Sequence, residues 1–107
     1  MKRIEAYIQV GKLDAVQSAL FREGVQGLSV SPVRGYGRQV GNKASTPALH
    51  PKLKIEVVVV DSKLDLAVRA IVEAAKTGDI GDGKVFVSDI QEVIRIRTGE
   101  RGDAALD

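Results

Sequence analysis

Ile4-Glu5-Ala6-Tyr7-Ile8-Gln9-Val10-Gly11-Lys12-Leu13-Asp14 recurs as Ile55-Glu56-Val57-Val58-Val59-Val60-Asp61-Ser62-Lys63-Leu64-Asp65 at a constant offset of 51 residues, so the chain reads as two similar halves. Each copy begins with a strand-like run and passes through Lys-Leu-Asp into a helical pattern. In the first helix Leu13, Val16, Leu20 and Phe21 fall on one face, with Gly24 where a left-handed cap is expected. In the second, Leu64, Val68, Ile71 and Ala75 form the stripe, Ser62 with Asp65 resembles a capping box, and Gly78 ends the helix. Strands are expected to follow at Gln26 to Val33 and Lys84 to Val87, with a last one around Val93 to Arg97. That order predicts an α+β, ferredoxin-like βαββαβ sandwich in a single domain, residues 1–107.

Two helices cover one face of such a sheet, yet Val57 to Val60 are apolar on both sides of their strand. With no further sequence to cover the second face, association with copies of the same chain is expected. The 107 residues are 44% hydrophobic with two Tyr, two Phe and no Trp, which supports a modest aliphatic core and supplies few bases-stacking platforms. A net charge of +2 is too small to argue for nucleic acid. The absence of cysteine excludes disulfides and thiolate metal sites, and the lone His50 builds no zinc centre. With no signal-peptide pattern and no apolar run long enough to span a bilayer, the expectation is a cytoplasmic protein with no membrane insertion.

The richest local chemistry lies in Thr77-Gly78-Asp79-Ile80-Gly81-Asp82-Gly83-Lys84-Val85-Phe86-Val87, followed by Arg95-Ile96-Arg97. Gly81 and Gly83 let backbone N–H groups approach an anion and Lys84 adds a charge beside them, so the stretch reads as a phosphate cradle. A strand period of two puts Arg95 and Arg97 on one face, about 6.8 Å apart, where a shared anion would relieve their repulsion. Singly, Asp82-Gly83 is also an ordinary turn and Arg-x-Arg an ordinary solvated face. The stretch is not a P-loop, because Val85 follows the lysine and the loop ends a helix instead of opening one. Between the halves, Gly35 to Lys52 shows turn formers and neither period, and a connection of that length in a compact domain is either a linker or functional.

These residues resemble the PII signal-transduction family, the nitrogen regulatory proteins. The likeness runs through Met1-Lys2-Arg3-Ile4-Glu5-Ala6 with Lys12-Leu13-Asp14, Gly35-Tyr36-Gly37-Arg38-Gln39, Pro51-Lys52-Leu53-Lys54-Ile55-Glu56, Thr77 to Val87, and Ile94 to Glu100. The resemblance implies a homotrimer with ATP/ADP sites in the clefts between neighbours. It further implies a loop after the second strand, the T-loop at about 37–52, that engages a transporter or metabolic enzyme. By matching position, Gly81, Asp82, Gly83, Lys84, Arg95 and Arg97 would line the nucleotide site, with Ser29 and Gly35 near the adenine and Gly37 and Arg38 near the phosphates. Gln39 would ligate Mg²⁺ together with 2-oxoglutarate, Gly41 would belong to the same effector site, and Lys52 would pair with a carboxylate of that acid. The chemistry is apt: guanidiniums grip phosphate oxygens in pairs and an amide oxygen is a hard ligand for Mg²⁺.

The chain departs from the family in two places. Its T-loop is shorter and lacks the tyrosine segment that members present for uridylylation, and Tyr36 at the loop base does not replace it. Gln9-Val10-Gly11 stands where Lys-Pro-Phe is usual, which removes a cation near the effector. A variant subgroup shares such changes: PII-like sensors of ADP or AMP with bicarbonate, tied to carboxysome or transporter function. Other classes fit worse. Gly24-Val25-Gln26-Gly27-Leu28 is similar to part of an acylphosphatase loop, but Ser31 stands where the anion-holding arginine belongs and the chain offers no activated nucleophile, so no enzyme is expected. An RNA-recognition sheet needs aromatic stackers where this one offers valines. The tail at about 98–107, with its Arg101-Gly102-Asp103, reads as solvated.

Overall fold

The computed structural model describes residues 1–37 and 48–106. Its elements are Lys2–Ile8 (β1), Leu13–Arg22 (α1), Ser29–Gly35 (β2), His50–Val59 (β3), Leu64–Ala75 (α2) and Lys84–Asp89 (β4), followed by a 3₁₀ turn at Gly102–Leu106. The four strands form one antiparallel sheet in the order β2-β3-β1-β4, the ferredoxin-like arrangement. The duplication is visible atom by atom. Each half leaves its first strand through a 3₁₀ turn, Val10–Lys12 or Asp61–Lys63, in which a lysine N–H returns to Gln9 O at 2.9 Å or Val60 O at 3.0 Å. Lys12 and Lys63 then open the helices with nearly identical backbones, φ −98°, ψ 0° and φ −98°, ψ −3°. Because that turn supplies the helix start, Ser62 lies one residue too early to cap it, and α2 has no side-chain cap.

The core follows the two periods. Ile4, Ala6 and Ile8 of β1 and Ile55, Val57 and Val59 of β3 alternate onto the helix-covered face, where Val16 and Leu20 of α1 and Ala67 and Ile71 of α2 meet them. Phe21, expected in the α1 stripe, is instead 72% exposed, since it lies one 100° step past Leu20 on the helix. At the C-terminus of α1, Val25 N–H bonds Leu20 O at 3.0 Å around a left-handed Gly24, and Lys63 of the second half donates to Glu23 O at 3.0 Å.

Three expectations change. First, β3 begins at His50, paired with Gly35, so residues 50–52 of the expected loop are strand. Second, β2 starts at Ser29, and its position at the sheet edge leaves Val30 more than a third exposed. Third, no final strand forms at Val93 to Arg97. A strand needs a partner, and this segment finds it in its own continuation: Arg95 N–H bonds Glu100 O at 2.8 Å, Gly99 N–H bonds Arg95 O at 2.7 Å, and Ile94 bridges Arg101 around a left-handed Gly99.

The face of the sheet without helices is not the apolar surface that the valine run implied. The register lays charged rows across it: Lys84, Tyr7, Lys54 and Ser31; then Phe86, Glu5, Glu56 and Ser29; then Ser88, Arg3 and Val58. Basic, acidic and basic rows alternate and interlock, with Arg3 at 3.9 Å from Glu5 and 3.6 Å from Glu56, Lys54 at 3.7 Å from Glu56, and Tyr7 donating to Glu5 at 2.8 Å. Leu20→Ala is expected to cost about 2–5 kcal/mol in urea unfolding and Phe21→Ala within about 0.5 kcal/mol, an order that would reverse if Phe21 belonged to the core.

Candidate functional site

At Lys76 the chain leaves α2 in an extended conformation, and residues 77–83 form a tight loop before β4. Gly83 has φ +105°, and a Cβ there would overlap the Tyr7 carbonyl oxygen of β1, so packing against the sheet alone demands glycine. Gly81, at φ +106°, takes the same left-handed conformation. Between them the Asp82 carboxylate turns back into its own loop. It accepts the Thr77 N–H at 2.8 Å, the Thr77 hydroxyl at 2.5 Å, the Gly78 N–H at 2.9 Å and the Gln9 side-chain amide at 3.2 Å. The Thr77 hydroxyl, then the Thr77 and Gly78 amides and the charge of Lys12, hold this carboxyl below its ordinary range against the opposing effect of desolvation.

Two cations flank the loop. Lys52, in the first part of β3, donates its ammonium to Gly81 O at 2.7 Å, and Lys84 begins β4 opposite Tyr7 on the open face. Behind the loop a hollow of about 220 Å³ is floored by Ile8, Ile71, Val72, Ala75 and Val85. Gly81, Asp82, Gly83, Lys84 and Lys52 are thus brought together within one chain.

The other expected residues lie elsewhere. Ser29 is at the start of β2 and Gly35 at its end, on the sheet edge opposite β4, with Gly37 just beyond. Arg95 and Arg97 do not share a strand face: Arg97 lies in the turn that closes the hairpin, and Arg95 grips Glu100 at 2.6 Å and the Ala104 carbonyl at 3.4 Å. Arg38, Gln39 and Gly41 lie outside the described residues. Among the described residues no group of three or more His, Cys, Asp or Glu side chains is placed to hold a metal ion. Gln9, Thr77 and Lys12 were not anticipated as site residues. Thr77 had a local signal, five residues before the carboxylate it serves, whereas Gln9 meets Asp82 across 73 residues and was marked only as the replacement of a family lysine.

Residues 1–100 match the family described as nitrogen regulatory protein P-II. The chain is 51% identical over 112 aligned positions to the nitrogen regulatory protein P-II of Cereibacter sphaeroides, covering 99% of this chain and 100% of that one. This chain belongs to the P-II family. A second P-II relative, from Nostoc punctiforme, is 47% identical with the same coverage. The fold agrees: the crystal structure of Arabidopsis thaliana PII bound to citrate superposes with a TM-score of 0.85 at 39% identity, over 97% of this chain and 90% of that one. The nitrogen regulatory name marks the P-II chains as regulatory proteins, and no described helix here is long and apolar enough to cross a membrane.

Two outcomes test the loop. Gly83→Ala should destabilise the protein by at least about 1–3 kcal/mol in urea unfolding, from the left-handed backbone before the clash with Tyr7 is counted. Asp82 has a lowered folded pKa, so its contribution is complete above the ordinary carboxylate value and is lost as pH falls through the lowered one. Amide NMR shifts of Thr77 and Gly78 should therefore titrate with a midpoint below 3.8; a transition centred higher would contradict it.

Proposed function

We propose that the chain is a non-enzymatic sensor in which ATP and ADP compete for clefts between the subunits of a homotrimer, and in which the bound species sets the conformation of the T-loop. The observation that carries this reading is the direction of the Asp82 charge. A carboxylate among phosphate ligands would repel them, but four donors already take up this one inside its loop, and Lys52 and Lys84 lie on its flanks. The residues present therefore fit an anion. Gly81, Gly83 and Lys84 would receive the phosphates, with Arg95 and Arg97 from a hairpin, Gly37 and Arg38 from the loop base, and Ser29 and Gly35 toward the base. A bound nucleotide with Mg²⁺ would supply the charge to which the T-loop responds. Gln39 would hold Mg²⁺, and Gln39, Gly41 and Lys52 an acidic effector.

The citrate carried by the Arabidopsis protein supports a polycarboxylate as effector class, with 2-oxoglutarate as the natural candidate. Bicarbonate, with ADP or AMP, is the competing effector, favoured by the uncharged Gln9. Alignments of 112 positions against a chain of 107 residues support a sequence that lacks positions its relatives have, as a shortened T-loop requires. Self-association is supported by the alternating charge rows of the open face, which a second copy can complement, and by the buried Arg3 Nε, which has no partner among the described residues. Through the T-loop the trimer would regulate a transporter or metabolic enzyme in the cytoplasm, by its different affinity for the two loop states.

Calorimetric titration with ATP and ADP, with and without Mg²⁺, is the direct test, and no binding at millimolar nucleotide would remove the proposal. Adding 2-oxoglutarate in one arm and bicarbonate with AMP in another separates the two effector readings. Arg95→Ala with Arg97→Ala should weaken ATP binding by about 2–4 kcal/mol. Arg97→Ala alone, which leaves the Arg95 brace of the hairpin intact, should account for part of that loss. Light scattering after gel filtration should give the mass of three chains; a monomer would sink the cleft.

A further inference from the structure

We propose that Lys52 and Gln9 form a two-point clasp that holds the glycine loop against the end of the sheet, and that a carboxylate ligand taking the Lys52 ammonium opens one half of it. The release step rests on the acid-binding reading above; the clasp itself does not.

The clasp lies where β1 stops. The last pair in the β1–β3 register is Ile8 with Leu53, so Lys52 lies one residue beyond the end of its neighbour strand. There the chain turns away at Gln9 into the 3₁₀ turn, and β3 and the loop after α2 face one another with no strand between them. The long Lys52 side chain spans that interval to Gly81 O at 2.7 Å, and the Gln9 amide reaches Asp82 at 3.2 Å. Two successive loop residues are thereby held from two different strand ends. The loop is also tied to itself, because Asp82 binds Thr77 and Gly78, so a pull on residues 81 and 82 is felt by all of 77–82. Gly83, seated on the Tyr7 carbonyl, is the fixed end about which the loop would move, and Lys84 follows it directly.

The two fastenings differ in strength and in what competes with them. Gln9 to Asp82 is an uncharged donor on a carboxylate that has three other donors. Lys52 to Gly81 is a cation on a neutral carbonyl, and a carboxylate is the stronger acceptor for an ammonium. An acid ligand at β3 therefore withdraws Lys52 from the loop, while Gln9 stays in place. By reciprocity, whatever tightens the loop on Gly81 weakens the acid. Lys52 is on this account a positioning residue for the nucleotide loop as well as a contact for the effector.

The test is hydrogen exchange at the Thr77 and Gly78 amides, which the Asp82 carboxylate holds, followed by NMR in the full chain without nucleotide, so that its result is independent of whether ATP binds. Lys52→Met keeps the methylenes and removes the donor; it should speed exchange there about fivefold, the shift for loss of one such hydrogen bond. Lys52→Arg should retain protection, which a role confined to packing would not distinguish from Met. Gln9→Ala should add a further increase. Citrate, used as the probe, should speed exchange in the unmodified chain and leave Lys52→Met unchanged. Unaltered exchange in a folded Lys52→Met, judged by its melting curve, would overturn the clasp. Faster exchange in Lys52→Met with no response of the unmodified chain to citrate would keep the clasp and overturn the release.

Discussion

The Asp82 carboxylate is the point on which the site turns. An acidic side chain between two loop glycines and beside a lysine is an obstacle to any anion unless its charge is directed elsewhere. Here it is directed inward, to two backbone amides, a hydroxyl and a side-chain amide, and the same bonds give the loop its shape. One interaction thus does two things: it removes a repulsion and it pre-forms the backbone that would meet the ligand. The left-handed Gly81 and Gly83 are the conformational condition for it, and the Tyr7 carbonyl makes the second of them obligatory.

The duplication explains why such a loop can exist in so small a chain. Both halves use the same turn, the same lysine at the helix start and the same inward alternation, so the scaffold is specified twice. They part company at the helix ends. After α1 the chain recovers within a few residues through Gly24, with Lys63 of the other half donating to the Glu23 carbonyl. After α2 it runs through the glycine loop instead. The candidate site lies in a connection where the two described halves differ, and the repeat holds it in position.

The second face of the sheet follows a different logic from the core. Glu5 and Glu56 lie directly opposite across β1 and β3, an arrangement that destabilises an isolated pair of strands. Arg3, Lys54 and the Tyr7 hydroxyl compensate it. Exposed ion pairs of this kind add little stability to a single chain, but as alternating rows they specify which surface can lie against them.

From the residues alone, the repeat, both helices, the helix-covered core and the glycine stretch were legible, because each rests on a local period or on a conformational demand of a single residue. Leu20 and Ile71 could be assigned inward from spacing, and Gly83 marked as special from its lack of a side chain. What the order of residues left open was every property that depends on which strand lies beside which. Val93 to Arg97 has a strand's alternation, yet it pairs with its own continuation at Glu100 and Arg101 and not with either open edge of the sheet. The valine run suggested an apolar second face, while its cross-strand partners made that face charged. Gln9 and Lys52 became loop contacts only because β1 stops at its pair with Leu53, one residue before Lys52. Side-chain period is written along the chain, whereas partners are supplied by strand order and register, and these are fixed only when the whole sheet closes on its core.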